Sequence, residues 1–322
     1  MKTDAFDYQL PPELIAQQPL QRRDESRLLV LHRDSGHIEH RRFKDLGEYL
    51  RPGDILLAND SKVFPARLYG RKTSGGKVEL LLLERLDDLH WKVIVGGRRL
   101  DAGKEIIIED RAGNPTETIA TVVELLTGAQ RIVRFEQPVD EELASLGHTP
   151  LPPYIHETLD DADRYQTIYA RPLGSAAAPT AGLHFTGDLL FDLRGQGVLF
   201  DTCTLHVGLD TFKPVEEEDI YEHKIHTEWA RLSTETARRI NEAKLAGGRL
   251  VAVGTTAVRT LETGALRSAG ISGPLNDISQ RDARGETSNM CPWKPVAAFE
   301  GPTDLFLAPG YRSVSYTHLT LP

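Results

Sequence analysis

Several short segments of this chain place polar side chains next to apolar or glycine-rich backbone, a pattern typical of binding and catalytic sites. Asn59 and Asp60 directly follow the apolar run Ile55–Ala58. Ligands of α/β proteins bind at such strand ends, although an ordinary turn explains the same residues. His184 closes a run of small residues and is either a proton carrier or a hydrogen-bonded structural histidine.

Three further segments carry chemistry-bearing residues. Thr204 and His206 share one face of a predicted strand, which lines a cavity or a solvent-exposed edge. Gly254-Thr255-Thr256 joins a predicted strand to a predicted helix, so its backbone N–H groups can bind an anion. His223 and His226 have H-x-x-H spacing, but a helical zinc site needs i, i+4 spacing and a third ligand. We therefore expect no metal.

Composition limits the class of protein. The chain has 322 residues, of which 40% are hydrophobic and 26% charged, which predicts a folded protein of about two domains. No apolar run is long enough for a membrane span, and the acidic N-terminus is unlike a secretory signal. Cys203 and Cys291 have no C-x-x-C partner, so a disulfide scaffold is not expected. These features favour a cytoplasmic protein, and the absence of G-x-G-x-x-G argues against a dinucleotide cofactor.

Charge is distributed unevenly. The formal net charge is -9, which argues against a nucleic-acid partner. Residues 61–104 nevertheless hold ten basic and five acidic side chains. This basic stretch is either a solvated strand face or a surface that binds phosphates.

The elements around these segments fall into two patterns. Short β-rich runs separated by turns fill the middle of the chain and predict a small antiparallel β-barrel. Outside them, helices run into buried strands, which predicts an α/β body with a mostly parallel sheet. A hairpin is expected at 27–40, a helix at 234–245 and a long loop at 266–298. The boundaries are 1–63 and 151–312 for the body, and 64–150 for the inserted barrel.

Taken together, the segments resemble one family, the S-adenosylmethionine:tRNA ribosyltransferase-isomerases of queuosine biosynthesis. The matching motifs run in order along the chain: Phe6–Pro11, Arg23–Leu28, Asn59–Arg67, Arg164–Thr167, Ala178–Phe185, Leu205–Gly208, His226–Glu228, Gly254–Thr256 and Ala308–Tyr311. A single short match means little, but this many ordered matches make chance an unlikely explanation.

The resemblance implies a two-domain enzyme with an inserted β-barrel. It implies transfer of the ribosyl part of S-adenosylmethionine to 7-aminomethyl-7-deazaguanine at the tRNA wobble position. The ribosyl group isomerises to an epoxycyclopentane, giving epoxyqueuosine, while adenine and methionine leave. S-adenosylmethionine is then a consumed substrate, and no cofactor is expected. The implied partners are the tRNAs for Asp, Asn, His and Tyr, bound by a monomer with no membrane association.

The implied chemistry assigns roles to individual residues. A proton must leave the carbon beside the sulfonium, so we expect His184 and His206 to be catalytic, followed by His226. Asp60 or Glu228 orients a histidine or faces the sulfonium. The expected substrate-binding residues are Asn59, Arg67, Arg164, Tyr165, Gln166, Pro179, Thr180, Ala181, Gly182, Phe185, Thr204, Gly208, Gly254, Thr255, Thr256 and Arg259. Tyr165 or Phe185 would stack on adenine or contact the sulfonium cation. Lys62, Arg98 and Arg99 are expected to bind tRNA.

Two departures from the family pattern stand out. The family continues beyond the Pro-Gly-Tyr motif with a hydrophobic strand and an Asn-Phe-His-Leu-Pro type motif, whereas residues 313–322 resemble translated artificial sequence. We therefore expect a longer natural chain, and expect this chain to be inactive without that segment. Asp210 stands where many members have glycine. The alternative functions are a non-catalytic RNA-binding barrel protein, a metal-dependent hydrolase using His223 and His226, and a generic S-adenosylmethionine methyltransferase.

Overall fold

The computed structural model describes residues 1–157, 159, 161–208, 211, 215–283 and 294–313, and the backbone of 317–319. It divides into two compact units. The body unit comprises Met1–Lys62 and Pro153–Pro322, and the barrel unit comprises Val63–Pro152. Cys291 and Asp210, singled out in the sequence, lie outside the described residues.

The N-terminal part of the body unit combines short 3-10 helices with a hairpin and a buried strand. The 3-10 helices are Thr3–Phe6, Pro12–Leu14, Arg23–Glu25 and Phe43–Tyr49. The strands are β1 (Arg27–His32), β2 (His37–Arg42), β3 (Ile55–Asn59) and β4 (Lys62–Val63). Antiparallel pairing of β1 with β2 confirms the predicted hairpin.

The barrel unit is a closed antiparallel barrel, as predicted. Its strands are β5 (Arg67–Lys72), β6 (Lys77–Arg85), β7 (His90–Gly96), β8 (Glu105–Glu109), β9 (Pro115–Leu125) and β10 (Gln130–Phe135), in the order β10-β7-β6-β5-β8-β9. Alternate residues such as Val78, Leu80 and Leu82 fill the interior, because side chains of a strand point to opposite faces. A short helix, α1 (Leu143–Leu146), follows.

Strand β5 was not among the strands predicted from the sequence. Its basic and glycine residues weaken the β signal, and Gly70 has a specific reason to be there. A Cβ at Gly70 would lie 2.5 Å from the backbone oxygen of Ile107 in β8. Glycine therefore allows β5 and β8 to approach and close the barrel.

The remainder of the body unit alternates helices and strands. The 3-10 helices are Ala162–Tyr165 and Thr180–His184. The strands are β11 (Leu173–Ser175), β12 (Leu199–His206), β13 (Glu228–Leu232), β14 (Leu250–Val253), β15 (Phe299–Thr303) and β16 (Thr317–Leu319). The α-helices are α2 (Gly187–Gly195), α3 (Thr234–Leu245), α4 (Gly254–Ser268) and α5 (Ile278–Ala283). Thr186 caps α2 and Ser233 caps α3 through side-chain oxygens. The predicted helix at 234–245 is confirmed.

The sheet of the body unit is mixed, so the prediction of a mostly parallel sheet is confirmed only in part. Its order is β15-β13-β12-β3-β14-β16. Strands β12, β3, β14 and β16 pair in parallel, whereas β13 is antiparallel to both β12 and β15. The parallel strand β3 is buried throughout, while β13 alternates buried and exposed residues. This alternation is typical of an antiparallel strand, but the sequence did not reveal it, because Glu228 is buried and Trp229 is exposed.

Both faces of the parallel strands are covered. Ile55 and Leu57 of β3 join the hydrophobic core formed with α3 and α4. Leu56 and Ala58 face the opposite core, which includes Phe185 and residues of α2. The strands are therefore fixed from both sides, and their carboxyl ends form a rigid edge.

The predicted loop at 266–298 is wrong for part of its length. Helix α4 extends to Ser268, and α5 occupies Ile278–Ala283. Residues 284–293 lie outside the described part of the chain. Within the described residues, no helix has the length and apolar character needed to cross a membrane.

Candidate active site

The predicted site segments meet at the carboxyl edge of the parallel strands in the body unit. Asn59 ends β3, His206 ends β12, and Gly254 directly follows β14. The strand register places Cys203 opposite Asn59 and Val253 opposite Ala58, so these three strand ends are neighbours. Ligands of open α/β sheets bind at this edge.

Asn59 holds β3 and β12 together beyond their last backbone pair. Its Nδ2 donates to the Leu205 carbonyl at 2.9 Å, and its Oδ1 accepts from the Leu205 and Ser61 amides at 3.0 Å each. Asn59 is buried, and these three hydrogen bonds offset the cost of removing its side-chain amide from water. Asn59 thus positions the residues on either side rather than facing open space.

His206 is held on three sides. Its Nδ1 lies 2.8 Å from the hydroxyl of Ser61, which has no exposed surface. One ring face stacks on Trp229, with centroids 5.2 Å apart. On another side lies Gly174, where a Cβ would be 2.8 Å from the ring. Gly174 also has a φ of +152°, which favours glycine.

Burial sets the protonation of this ring. It lowers the pKa of His206, while the nearby Asp60 raises it. The neutral form is therefore favoured at neutral pH. Since Ser61 occupies Nδ1, Nε2 is the nitrogen available for proton transfer.

Asp60 lies beside the same ring. Its Oδ1 accepts a hydrogen bond from the Thr204 hydroxyl at 2.7 Å, and its backbone amide donates to the Cys203 carbonyl. The side chain is half-buried. Thr204 and His206 thus share one face of β12, as predicted, and each contacts a residue that follows β3.

Glu228 is the centre of a second polar cluster at this edge. Its Oε1 accepts from the Gly208 amide at 3.2 Å and lies 3.1 Å from Nε2 of His226. Its Oε2 accepts from the Arg259 guanidinium at 2.6 Å. The cluster brings Gly208 and Arg259, which are distant in the sequence, to His226 and Glu228, which are two residues apart.

Both terminal nitrogens of Arg259 are engaged within the protein, whereas its buried Nε has no hydrogen-bond partner in the described chain. Only 9% of Arg259 is exposed, and its second terminal nitrogen donates to the carbonyls of His226 at 2.7 Å and Thr303 at 3.0 Å. Burial lowers its pKa, although Glu228 opposes this effect. The arrangement fits a residue that orients Glu228 and His226 rather than one that binds substrate directly.

The small residues around Gly182 allow close backbone packing. A Cβ at Gly182 would lie 2.2 Å from the Tyr169 hydroxyl and 3.0 Å from Thr167. Ala181 lies next to Gly254, whose φ is +84°. The 3-10 helix Thr180–His184, which Pro179 precedes, therefore packs beside the N-terminus of α4.

The N-terminus of α4 offers donors. The first backbone N–H groups of a helix have no partner within it, and Val253 provides no side-chain cap. The Thr256 hydroxyl is buried and has no hydrogen-bond partner within the described chain, while Thr255 is exposed. The geometry suits an anionic or carbonyl group.

Three other predicted residues lie in or beside the opposite core. The His184 ring packs on Phe43, with centroids 5.2 Å apart, and burial lowers its pKa. Phe185 has no exposed surface and meets Phe43 edge to face, so it stabilises the core and has no free face for adenine. Tyr165 is also buried, and this burial raises its pKa.

Arg164, Gln166 and Lys62 lie on other parts of the body unit. Arg164 donates to the carbonyls of Gln21 and Leu20, whereas Gln166 and Lys62 line a cavity. His223 pairs with Glu217 at 2.8 Å, and so does not share a carboxylate with His226. Among the described residues, no group of three His, Cys, Asp or Glu side chains is arranged to hold a metal.

Arg67, Arg98 and Arg99 belong to the barrel unit. Arg67 pairs with Glu79 at 3.0 Å. Arg98 and Arg99 are exposed in the turn after β7, and Arg99 has a φ of +56°. Both guanidinium groups can therefore reach a ligand in solution.

The sequence reasoning did not select Ser61, Gly174, Trp229 or Tyr169. Ser61 lies inside the Asn59–Arg67 motif, so its position was visible but its contact with His206 was not. Trp229 follows Glu228 in β13 and lies directly opposite His206 of the neighbouring strand β12. These contacts join residues that are distant in sequence, so local patterns do not reveal them.

Comparison with known proteins gives consistent results. A family model described as "Queuosine biosynthesis protein" matches residues 3–320. The S-adenosylmethionine:tRNA ribosyltransferase-isomerase of Symbiobacterium thermophilum is 49% identical over 97% of this chain and 84% of its own length. The protein of the same name from Desulforamulus reducens is 44% identical over the same shares.

Among solved structures, a match is found to an S-adenosylmethionine tRNA ribosyltransferase from Thermotoga maritima. It is 34% identical, with a TM-score of 0.45, and the match covers 98% of this chain and 83% of that one.

Proposed function

The chain belongs to the queuosine biosynthesis protein family, and on that basis we propose that it is an S-adenosylmethionine:tRNA ribosyltransferase-isomerase. It transfers the ribosyl part of S-adenosylmethionine to 7-aminomethyl-7-deazaguanine at the tRNA wobble position. The product is epoxyqueuosine, and adenine and methionine are released. S-adenosylmethionine is a substrate in this proposal and is consumed.

The reaction needs a base beside the sulfonium. In our proposal this base is His206, acting through Nε2. Its Nδ1 hydrogen bond to Ser61 is the single observation that carries the assignment, because it leaves one defined nitrogen for the proton. Burial lowers the pKa of His206, which keeps the ring neutral and able to accept a proton at neutral pH.

Carboxylates would stabilise the positive charge of the substrate. Asp60 lies beside His206 and is the group that we assign to the sulfonium. Glu228 orients His226, and Arg259 fixes Glu228. His226 is then the second proton carrier, and His184, which packs on Phe43, is the third candidate.

Binding groups complete the site. The α4 N-terminus at Gly254–Thr256 would face a polar group of the nucleoside, and the Thr180–Gly182 backbone next to it lets the substrate approach closely. Thr204 and Gly208 act through their contacts to Asp60 and Glu228.

The barrel unit would bind tRNA in this proposal. Arg98 and Arg99 are exposed and belong to the basic stretch of residues 61–104. The proposed acceptors are the tRNAs for Asp, Asn, His and Tyr, bound by a monomer in the cytoplasm, where tRNA is modified. Arg67, paired with Glu79, is a weaker candidate for a phosphate contact.

The test is single replacement of the proton carriers. In a fusion that carries the C-terminal segment of the Symbiobacterium thermophilum relative, His206→Gln should lose adenine release while S-adenosylmethionine still binds, whereas His37→Gln, in the exposed hairpin, should retain activity. Full activity of His206→Gln would remove His206 from the mechanism. Tight tRNA binding with no S-adenosylmethionine binding in the unaltered protein would favour the non-catalytic RNA-binding alternative. Stoichiometric metal in the purified protein would favour the hydrolase.

A further inference from the structure

A cavity of about 270 Å³ lies in the body unit and is lined by Arg23, Lys62, Asp163, Gln166 and Thr167 together with apolar carbon atoms of two neighbouring residues. It was not part of the polar clusters around His206 and Glu228. The side chains that line it include two cations, one carboxylate and one hydroxyl.

The cations of this cavity are available to an anion. Arg23 donates to the carbonyl oxygens of Gln166 at 2.6 Å and Asp163 at 2.8 Å, which leaves its charge unneutralised by these bonds. Lys62 is exposed, and the described residues offer it no ion pair. Burial lowers the pKa of Arg23, and the like charge of Arg164 lowers it further. An anion placed here would relieve that repulsion.

Two other groups indicate more than a simple anion site. Thr167 is only 4% exposed, and its hydroxyl has no hydrogen-bond partner within the described chain. A buried hydroxyl without a partner is costly, so a ligand that bonds to it would gain affinity. The Asp163 carboxylate would repel a phosphate but attract an ammonium group.

The cavity adjoins the candidate active site at two points. Lys62 follows Ser61, whose hydroxyl contacts His206. Thr167 packs against Gly182, where a Cβ would lie 3.0 Å from its methyl group. One end of a ligand could therefore occupy the cavity while its other end lies near the segments that carry the proton-transfer groups.

We propose that this cavity binds the amino-acid end of S-adenosylmethionine, with Lys62 and Arg23 facing its carboxylate and Asp163 facing its ammonium group. The proposal rests on the function proposed above. A zwitterionic amino acid matches a site with both charge signs, whereas the tRNA backbone carries negative charge alone.

The test is calorimetric binding of S-adenosylmethionine and of decarboxylated S-adenosylmethionine, which keeps the sulfonium and the ammonium group. The unaltered protein should prefer S-adenosylmethionine by about tenfold, the effect of one charge-assisted hydrogen bond. Lys62→Met should reduce that preference, since only Arg23 then faces the carboxylate, whereas the matched control Lys44→Met, at an exposed lysine of the same unit, should keep it. Asp163→Asn should weaken both ligands equally.

Other results would overturn the assignment. Equal affinity of the unaltered protein for both ligands, or an unchanged preference in Lys62→Met, would place the amino-acid end elsewhere while leaving the proposed function intact. If Lys62→Met lost affinity for tRNA but not for S-adenosylmethionine, the cavity would instead bind a phosphate of the tRNA backbone. Failure of the unaltered protein to bind either nucleoside would contradict both the cavity assignment and the proposed function.

Discussion

The Ser61 hydroxyl lies 2.8 Å from Nδ1 of His206, although the two residues are 145 positions apart in the chain. Ser61 follows β3 and His206 ends the adjacent parallel strand β12. The sheet therefore creates a contact that fixes one nitrogen of the imidazole and leaves the other for chemistry.

Replacing Ser61 by alanine tests that contact. For Nε2 to act as the base, Nδ1–H must donate to the Ser61 hydroxyl; this bond favours the protonated ring, so its loss should lower the pKa of His206 further. We expect kcat to fall about tenfold, because the tautomer with a free Nε2 is no longer fixed, and the acid limb of the kcat/KM profile to move to lower pH. Ser74→Ala, at an exposed serine, is the control and should leave both unchanged. An unaltered pH profile in Ser61→Ala would contradict a positioning role.

Stability should depend on pH through His184 and His206. Burial lowers the pKa of both in the folded state, so the unfolded chain binds protons first as the pH falls. Stability should be constant well above the ordinary histidine pKa and decline below it, until the folded-state pKa values are reached. Urea denaturation at pH 7 and pH 5 measures the decline, which should shrink in the His184→Asn/His206→Asn double variant. An equal decline in that variant would show that other groups are responsible.

The buried ion pair between Arg259 and Glu228 should be sensitive to loss of one partner. Arg259→Met leaves the Glu228 carboxylate buried without its counter-ion and should cost about 3–5 kcal/mol in the free energy of unfolding. Arg231→Met, which removes the exposed pair with Glu300, should cost less than about 1 kcal/mol. Chemical denaturation compares the two, and similar losses would mean that Arg259 contributes no more than a surface residue.

Gly182→Ala should be destabilising because its Cβ would lie 2.2 Å from the Tyr169 hydroxyl. We expect a loss of about 1–3 kcal/mol, with part of it restored in Gly182→Ala/Tyr169→Phe. Gly187→Ala is the control, since no atom lies within 4 Å of the added Cβ there. Thermal unfolding measures all three variants. No recovery in the double variant would show that the Tyr169 hydroxyl is not the obstacle.

Charge reversal on the barrel unit tests its proposed role. Arg98→Glu/Arg99→Glu should weaken tRNA binding at least tenfold and reduce the dependence of affinity on salt, since fewer counterions are released. Arg194→Glu, at an exposed arginine of α2, is the control. Filter binding at several salt concentrations gives both quantities. A tRNA affinity unchanged by the double reversal would favour the alternative interpretation, in which the basic stretch is a solvated strand face.

The sequence predicted the closed barrel and the helix at 234–245 because their periodicity is local. It did not predict the antiparallel position of β13, because strand direction is decided by pairing with β12 and β15 rather than by the strand's own residues. Motif positions located Asp60, His206 and Glu228, yet the partners that hold them, Ser61 and Trp229, depend on sheet register. Arg259 was expected to bind substrate, and this stays a prediction; its contacts with Glu228, His226 and Thr303 could not be inferred from local patterns.

The most direct measurement is an assay with S-adenosylmethionine and tRNA that carries 7-aminomethyl-7-deazaguanine. The assay is run on the chain as it stands and on a fusion with the C-terminal segment of the Symbiobacterium thermophilum relative, since the family motif expected from the sequence comparison lies there. We predict adenine release only when this tRNA is present, together with a modified nucleoside that has gained the ribosyl-derived mass. Binding of the tRNA without adenine release, or adenine release with no change in nucleoside mass, would contradict the proposed function.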